Sequence, residues 1–277
     1  MSDADHDLSF LRMNPRPAKP GTLGLTEIRG PFYSTFGPGY LDDYLDAAAS
    51  FVDWVKIPAP SVMLLPGPVQ RRYLDVTHAH GVEAGAGGAI EWVVTRGPEA
   101  VDRYFDAVRD LGYDIVEISA GMLAIPDADF VRLVRRAKSA GLKVKAEVGV
   151  QFGAGGTSSE DELARAGTLP VTWAIKRANA ALEAGADYIV LESEGVTEQV
   201  TTWRTDVPAA FVAELGLEKI VFEAADPAVY AWYIKVFGPE VNLFIDHSQA
   251  LHLESIRSGV WATSDLWGRV VTYKEEP

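Results

Sequence analysis

Two hydrophobic periods alternate along this chain. Short apolar or every-second-residue runs recur eight times, and each is followed by a stretch whose apolar positions return at helical spacing. The clearest unit spans Tyr113 to Gly149: a strand Tyr113–Ser119, a helix from Asp127 to Gly141, and a strand Lys143–Gly149. Before it the pattern predicts a strand Leu23–Arg29 and a helix Tyr40–Phe51 with Tyr44, Leu45 and Ala48 on one face. A strand Val52–Ile57 follows, ended by Pro58 and Pro60, then a helix Val69–His80 closed by Gly81. A glycine-rich strand Val82–Gly88 and a helix Glu99–Leu111, opened by Pro98, complete the first half. The second half reads as helix Pro170–Glu183, strand Ala186–Ser193, helix 207–215, strand 219–224, helix 227–237, strand 241–246 and a helix from about Ser248 to Ser258. Residues 150–169 and 194–206 lack periodicity, and the first of these has the length of a lid or binding loop. Residues 1–20, with three prolines and mixed charge, read as a flexible N-terminal arm, leaving 21–277 as one domain.

Strict strand–helix alternation implies parallel strands joined by right-handed crossovers. Eight such units in roughly 250 residues match the (β/α)8 barrel, an α/β fold whose active sites lie at the C-terminal ends of the strands. A doubly wound open sheet would need a glycine-rich phosphate turn after the first strand, and Arg29-Gly30-Pro31 is not one.

Composition narrows the function classes. The 277 residues are 48% hydrophobic and 23% charged, enough for a sizeable core. A formal charge of −14 argues against nucleic acid and anionic membrane as partners and fits a solubility charge. The absence of cysteine excludes disulfides, thiolate nucleophiles and cysteine-ligated metals. No apolar run approaches the ~18 residues of a membrane helix, and the acidic start Ser2-Asp3-Ala4-Asp5 is unlike a signal peptide, so a cytoplasmic protein is expected.

The chemistry-bearing feature is a repeated carboxylate. Glu117, Glu147, Glu192 and Glu223 each stand near the C-terminal end of an otherwise apolar strand, at what the barrel makes its catalytic rim. Buried carboxylates are costly unless paired or metal-bound, and several around one mouth repel unless a cation intervenes. Magnesium suits such oxygen ligands. The alternative is pairing with neighbouring cations, of which Lys56 and Lys145 are the obvious ones. Lys56, in an apolar run, is a counter-ion or a group for proton transfer or anion binding. Ser119 shares the inward face of Glu117, as Lys143 and Lys145 share that of Glu147. Asn242 and His247 lie at strand eight, with His247 a candidate acid or base. Arg29 and Arg204 are candidate clamps for a substrate carboxylate, while His78 and His80 on a helix read as structural. The Gly85-x-Gly87-Gly88 cluster is a weak anion-cradle signal. No phosphate-binding loop, nucleophile elbow or His-Glu-x-x-His motif is present.

Several segments form an ordered set: Phe51-Val-Asp-Trp-Val-Lys56, Gly112-Tyr-Asp-Ile-Val-Glu-Ile-Ser119 with Gly121, Ala146-Glu-Val-Gly149, Ala184-Gly-Ala-Asp-Tyr-Ile-Val-Leu-Glu192, Ile220-Val-Phe-Glu-Ala224, Phe237-Gly238, Val241-Asn-Leu243 and Leu253-Glu254. In their order and spacing, across Gly24 to Gly259, they resemble the phosphosulfolactate synthase family. The resemblance implies a (β/α)8 barrel that adds sulfite to phosphoenolpyruvate with magnesium, in sulfonate biosynthesis, and a homo-oligomer. Aromatic residues Tyr230, Trp232 and Tyr233 would suit a subunit interface, with core packing the alternative. The chain also departs from the family pattern. A lysine pair after strand five, one member a proposed general acid, is replaced by Val150-Gln151. The Ile-Ser-Asp-Gly motif becomes Ile118-Ser-Ala-Gly121, the turn after strand two becomes Ile57-Pro-Ala-Pro-Ser61, and Arg-Glu-Ser-Gly becomes Ser193-Glu-Gly-Val196.

The expected site therefore has Glu117, Glu192 and Glu223 as magnesium ligands, and Lys56, Glu147 and His247 as catalytic groups. Arg29, Lys145, Ser119, Arg204 and Asn242 are expected to bind a small anionic substrate. Three functions fit: the family's carbon–sulfur lyase-type reaction; a diverged lyase or synthase acting on a less charged enol or keto acid; or a non-catalytic stress or scaffold protein that kept the fold.

Overall fold

The computed structural model describes residues 8, 10, 11, 13–155 and 158–272. Its strands are β1 Thr26–Arg29, β2 Trp54–Ile57, β3 Glu83–Ala86, β4 Ile115–Ile118, β5 Lys143–Val148, β6 Tyr188–Leu191, β7 Ile220–Glu223 and β8 Asn242–Asp246. All pair in parallel, in sequence order. The pairing of Thr26 with Leu243 and of Arg29 with Asp246 joins the last strand to the first. That closure makes the protein a (β/α)8 barrel and removes the open sheet.

Alternation along each strand sorts the side chains into two cores. Leu25, Trp54, Ile115, Val190, Val221 and Phe244 form a small cluster inside the barrel. Ile28, Val55, Val116, Val144, Ile189, Phe222 and Leu243, one residue out of phase, pack outward under the helices. The helices are α1 Pro38–Ala48, α2 Ala59–Leu64, α3 Gly67–Ala79, α4 Ile90–Val94, α5 Pro98–Leu111, α6 Asp127–Ser139, α7 Glu160–Ala166, α8 Val171–Glu183, α9 Asp206–Leu215, α10 Pro227–Phe237 and α11 Ala250–Arg257. In α6 the buried Phe130, Leu133, Val134 and Ala137 fall on one stripe, and Asp127 and Asp129 at its start and Arg136 and Lys138 at its end oppose the helix dipole.

Three short helices lie where periodicity predicts none. Pro58 and Pro60 do end β2, but they also open α2, because proline is tolerated in a first helical turn. Helix α4 is a single short turn after β3. Helix α7 sits inside the segment 150–169, and its reciprocal cap explains it: the Ser159 hydroxyl accepts from the Glu162 N–H while the Glu162 carboxylate accepts from the Ser159 N–H.

The first seven residues of the expected arm lie outside the described ones. Further along, Arg16 donates to Glu254 at 2.6 Å and to Asp53 at 2.8 Å, and Asn14 donates to the carbonyls of Arg257 and Val270. These bonds hold the described part of the arm against the end of the barrel opposite the rim. Tyr230 and Tyr233 belong to the chain's own core, with Tyr233 packed on Phe222 at 4.6 Å between centroids. The core-packing alternative is the correct one for this pair.

Candidate active site

The interior positions that are not apolar carry charge, and the charges alternate along the barrel. Deepest is an ion pair between Glu27 of β1 and Lys145 of β5, both buried. Lys145 Nζ is also 3.8 Å from Glu117 Oε2 on β4, which lies 2.8 Å from Lys56 Nζ on β2. Lys56 Nζ in turn stands 3.8 Å from Glu147 Oε2 on β5 and 4.4 Å from the centroid of Phe244. Glycines of β3 and its exit make room for this column. A Cβ on Gly85 would stand 3.7 Å from Glu27 Oε1, and the Gly88 N–H donates to Glu117 at 3.1 Å. The glycine cluster thus cradles an anion, one supplied by the chain itself.

Above the column, one oxygen from each of Glu147, Glu192 and Glu223 lies within 4.8 Å of the others. Glu223 accepts from Arg29 Nη2 at 2.8 Å, and Glu192 accepts from the Glu194 N–H at 2.9 Å. Among the described residues, Glu27, Glu117, Glu147, Glu192 and Glu223 share this space with Arg29, Lys56 and Lys145, and Glu194 and Glu198 act on Glu192 and Glu223, so carboxylates outnumber cations.

The titration behaviour divides accordingly. Burial, then the charge on Glu117, holds the Glu147 carboxyl well above the usual range. Burial, then Glu223, does the same to Glu192. Burial also raises Glu223, with Lys56 and Arg29 pulling the other way. For Glu117 burial again opposes ionisation, but Lys56 and then Lys145 outweigh it and bring the group below its ordinary value. Burial disfavours the Lys56 ammonium, yet Glu117, Glu147, Glu223 and Glu27 together leave it held more firmly than in water. Two carboxyls that resist ionising beside a third, all within 4.8 Å, fit a divalent cation that prefers oxygen ligands. The three carboxylates grouped this closely are Glu147, Glu192 and Glu223, whereas the sequence pattern names Glu117, Glu192 and Glu223; Glu117 is paired instead with Lys56.

A cavity of about 520 Å3 opens from Glu147 and Glu192 and runs outward to Trp173 and Arg177 of α8. Neither of those two residues carries a sequence signal, since each reads as an ordinary helical position.

The other expected site residues separate into two groups. Arg29, Lys145 and Ser119 are brought to the interior or rim, Ser119 with a buried hydroxyl that has no protein partner. Asn242 is not: it begins β8, at the opposite end of the barrel, where its amide bonds Leu25 N, Thr22 O and Leu217 O. Arg204 is not: it is a bidentate partner of Asp206, two residues away. His247 sits just past β8 but packs against the rings of Phe36, Tyr40 and Tyr44, its Nδ1 3.4 Å from Asp246 Oδ1. Lys143 shares the parity of Glu147 but lies at the far end of its strand, paired with Glu83 at 2.5 Å. Glu27 is the interior charge that sequence reading missed. Its signal was available, since it lies two residues before Arg29 in an alternating strand.

The heat-stress-associated 32 protein of Arabidopsis thaliana is 33% identical over 259 residues, 90% of this chain and 91% of that one. The phosphosulfolactate synthase of Methanothermobacter thermautotrophicus is 26% identical over 263 residues, covering 92% and 96%. A solved 3-hexulose-6-phosphate synthase superposes with a TM-score of 0.51 at 12% identity, over 83% of this chain and 98% of that one, a likeness of fold alone. Among the described residues no helix is long and apolar enough to cross a membrane. With the model of the (2R)-phospho-3-sulfolactate synthase (ComA) family matching residues 14–263, the chain belongs to the phosphosulfolactate synthase family.

Proposed function

We propose that this protein is a divalent-cation-dependent lyase or synthase acting on an enol or keto acid that carries less charge than phosphoenolpyruvate. The observation that carries the reading is that the cations at the mouth are already committed. Lys56 is 2.8 Å from Glu117 and Arg29 is 2.8 Å from Glu223. Sulfite and phosphoenolpyruvate together bring several negative charges and need cations of their own. The two positions of the family's lysine pair are structural here. Val150 is buried, and the Gln151 amide donates to the carbonyls of Phe152, Leu163 and Gly167.

Glu147, Glu192 and Glu223 would hold the cation, magnesium by their all-oxygen chemistry, and when bound it supplies stabilisation of negative charge developing on the acid. The remaining roles fall to the chain's own groups. Lys56, kept protonated by Glu117, is a fixed positive charge beside the three carboxylates that attracts and orients the substrate carboxylate. A role without chemistry, for which the plant relative's name gives the only hint, is the rival reading. Against it stands the cost of keeping Glu147 and Glu192 in the interior with Lys56, already paired with Glu117, as their nearby cation, a cost a binding site explains.

Calorimetry tests this. Pyruvate and phosphoenolpyruvate are titrated separately, with and without magnesium, into the wild type and Lys56→Met. The expected result is magnesium-dependent pyruvate binding that weakens roughly tenfold or more in Lys56→Met, as loss of a charged hydrogen bond implies. Phosphoenolpyruvate bound much more tightly than pyruvate, and consumed with sulfite, would return the family reaction. No binding of either acid or of magnesium would leave only the non-catalytic role.

A further inference from the structure

The cavity beside the carboxylates is larger and more apolar than a three-carbon acid requires. We infer that it selects acids whose carbon chain continues into an apolar arm, and that the arm lies between the segments that follow β4 and β5. The inference rests on the acid-binding reading of the mouth.

At about 520 Å3 the cavity falls in the size range of pockets that enclose whole organic ligands. Its walls away from Glu147 and Glu192 are Leu123, Ile125, Leu169 and Trp173, together with Met122 and Phe152. Those last two side chains are 67% and 46% exposed, so the apolar lining continues to the surface. Exposed apolar side chains on facing segments are costly in water and are explained by an apolar ligand passing between them.

Most polar groups that border the cavity are engaged by the chain itself. The Arg177 guanidinium donates to the Ile125 carbonyl at 2.9 Å and rests over the rings of Phe130 and Trp173 at 4.2 and 5.0 Å. The N–H groups of Gly121, Met122 and Leu123 would form an anion nest, but the Glu91 carboxylate fills it at 3.2, 2.8 and 3.1 Å. On the other wall the Gln151 amide holds the carbonyls of Phe152 and Gly167. Both walls are therefore fixed by the chain's own hydrogen bonds, and Arg177, the cation that borders the cavity, is held against the Ile125 carbonyl and the Phe130 and Trp173 rings, with its Nε 3.6 Å from Asp127. A pre-formed apolar slot beside an acid-binding head favours an uncharged arm.

The test uses the full-length protein with magnesium and a series of 2-oxo acids: pyruvate, 2-oxopentanoate, 2-oxooctanoate and phenylpyruvate. Affinity is measured by calorimetry in the wild type, in Leu169→Asp and in Ala124→Trp, the last at an exposed wall position so that one variant folds even if the other does not. The expected result is a gain of roughly fourfold per added methylene until the slot is full. The ratio of 2-oxooctanoate to pyruvate affinity should collapse in either variant. A flat series with pyruvate still bound overturns the arm and leaves the head site standing. A ratio that survives in both folded variants also overturns it, because the arm then lies elsewhere. Failure of every acid to bind overturns this inference together with the proposed function.

Discussion

Gly87 stands where the Lys56 side chain has to pass: a Cβ built on Gly87 would lie 3.1 Å from Lys56 Cε, and 3.2 Å from both the Ile57 carbonyl and Pro58 Cα. The lysine could bend away, but the two backbone atoms cannot. Gly87→Ala should therefore cost ~1–3 kcal/mol, as overpacking of a filled interior does. Because the strain falls on the backbone directly after Lys56 and also makes its side chain bend away, it should also weaken magnesium-dependent binding of acids. Gly39→Ala, in the exposed first turn of α1 with nothing within 4 Å, is the control and should be neutral or slightly stabilising. Denaturant titration of both variants decides it; equal stabilities would mean that Gly87 is not required by contact.

The Lys145–Glu27 pair makes a second prediction, because neither group reaches solvent. Lys145→Met leaves Glu27 without a cation and Glu117 with one fewer, and removing one partner of a buried pair costs ~3–5 kcal/mol. The double variant Lys145→Met/Glu27→Gln removes both charges and should recover much of that loss. A double variant no more stable than the single one would show that the pair matters for packing alone.

These two sites show where sequence reading succeeds and where it stops. The eight strands, their order and the inward parity of Glu117, Glu147, Glu192 and Glu223 follow from apolar periodicity, because each of these carboxylates interrupts or ends an otherwise largely apolar run at the same parity. Pairing does not follow from periodicity. Glu117 and Glu147 are indistinguishable in sequence, yet Lys56 reaches Glu117 at 2.8 Å and leaves Glu147 to the trio. Asn242 shares inward parity with the site residues, but its depth places it at the far end of the barrel. Depth depends on where β8 begins relative to its neighbours, which only the register reveals. Helix α7 was hidden for a different reason, since its six exposed or charged positions give no apolar stripe and only the Ser159–Glu162 cap marks it.

Glu147 and Glu192 predict an unusual pH dependence without metal. Both have folded-state values raised above the ordinary 4.5. Above that pH the folded protein binds more protons than the unfolded chain, so stability falls as pH rises through the raised values. Glu117 acts with the opposite sign, its contribution present above 4.5 and lost as pH falls through its lowered value. In EDTA, thermal melts should therefore decline from about pH 5 to pH 8. Magnesium at a hundred times its Kd should restore about 2.7 kcal/mol, read as several degrees. Glu192→Gln should flatten the decline in EDTA and remove the gain from magnesium. Melting temperatures that climb from pH 5 to pH 8 without metal would contradict the assignment.

Arg29 touches both the cation trio and the mouth, so its removal should move two affinities in opposite directions. Its Nη2 neutralises Glu223 at 2.8 Å, and its guanidinium rests over Tyr33 and Phe244 at 5.1 and 5.0 Å. Arg29→Met keeps the aliphatic packing while deleting the charge. Without that charge the trio gains net negative potential, and at the effective dielectric of a rim site this should tighten magnesium by roughly threefold to tenfold. The same loss removes an attraction for an incoming carboxylate, so magnesium-dependent pyruvate binding should weaken by a comparable factor. Arg204→Met should change neither, because Arg204 is spent on Asp206 at the surface. Calorimetry on the two variants separates the cases. If Arg29→Met weakens magnesium, Arg29 orders the ligands rather than competing with the cation, and the electrostatic account of the trio is wrong.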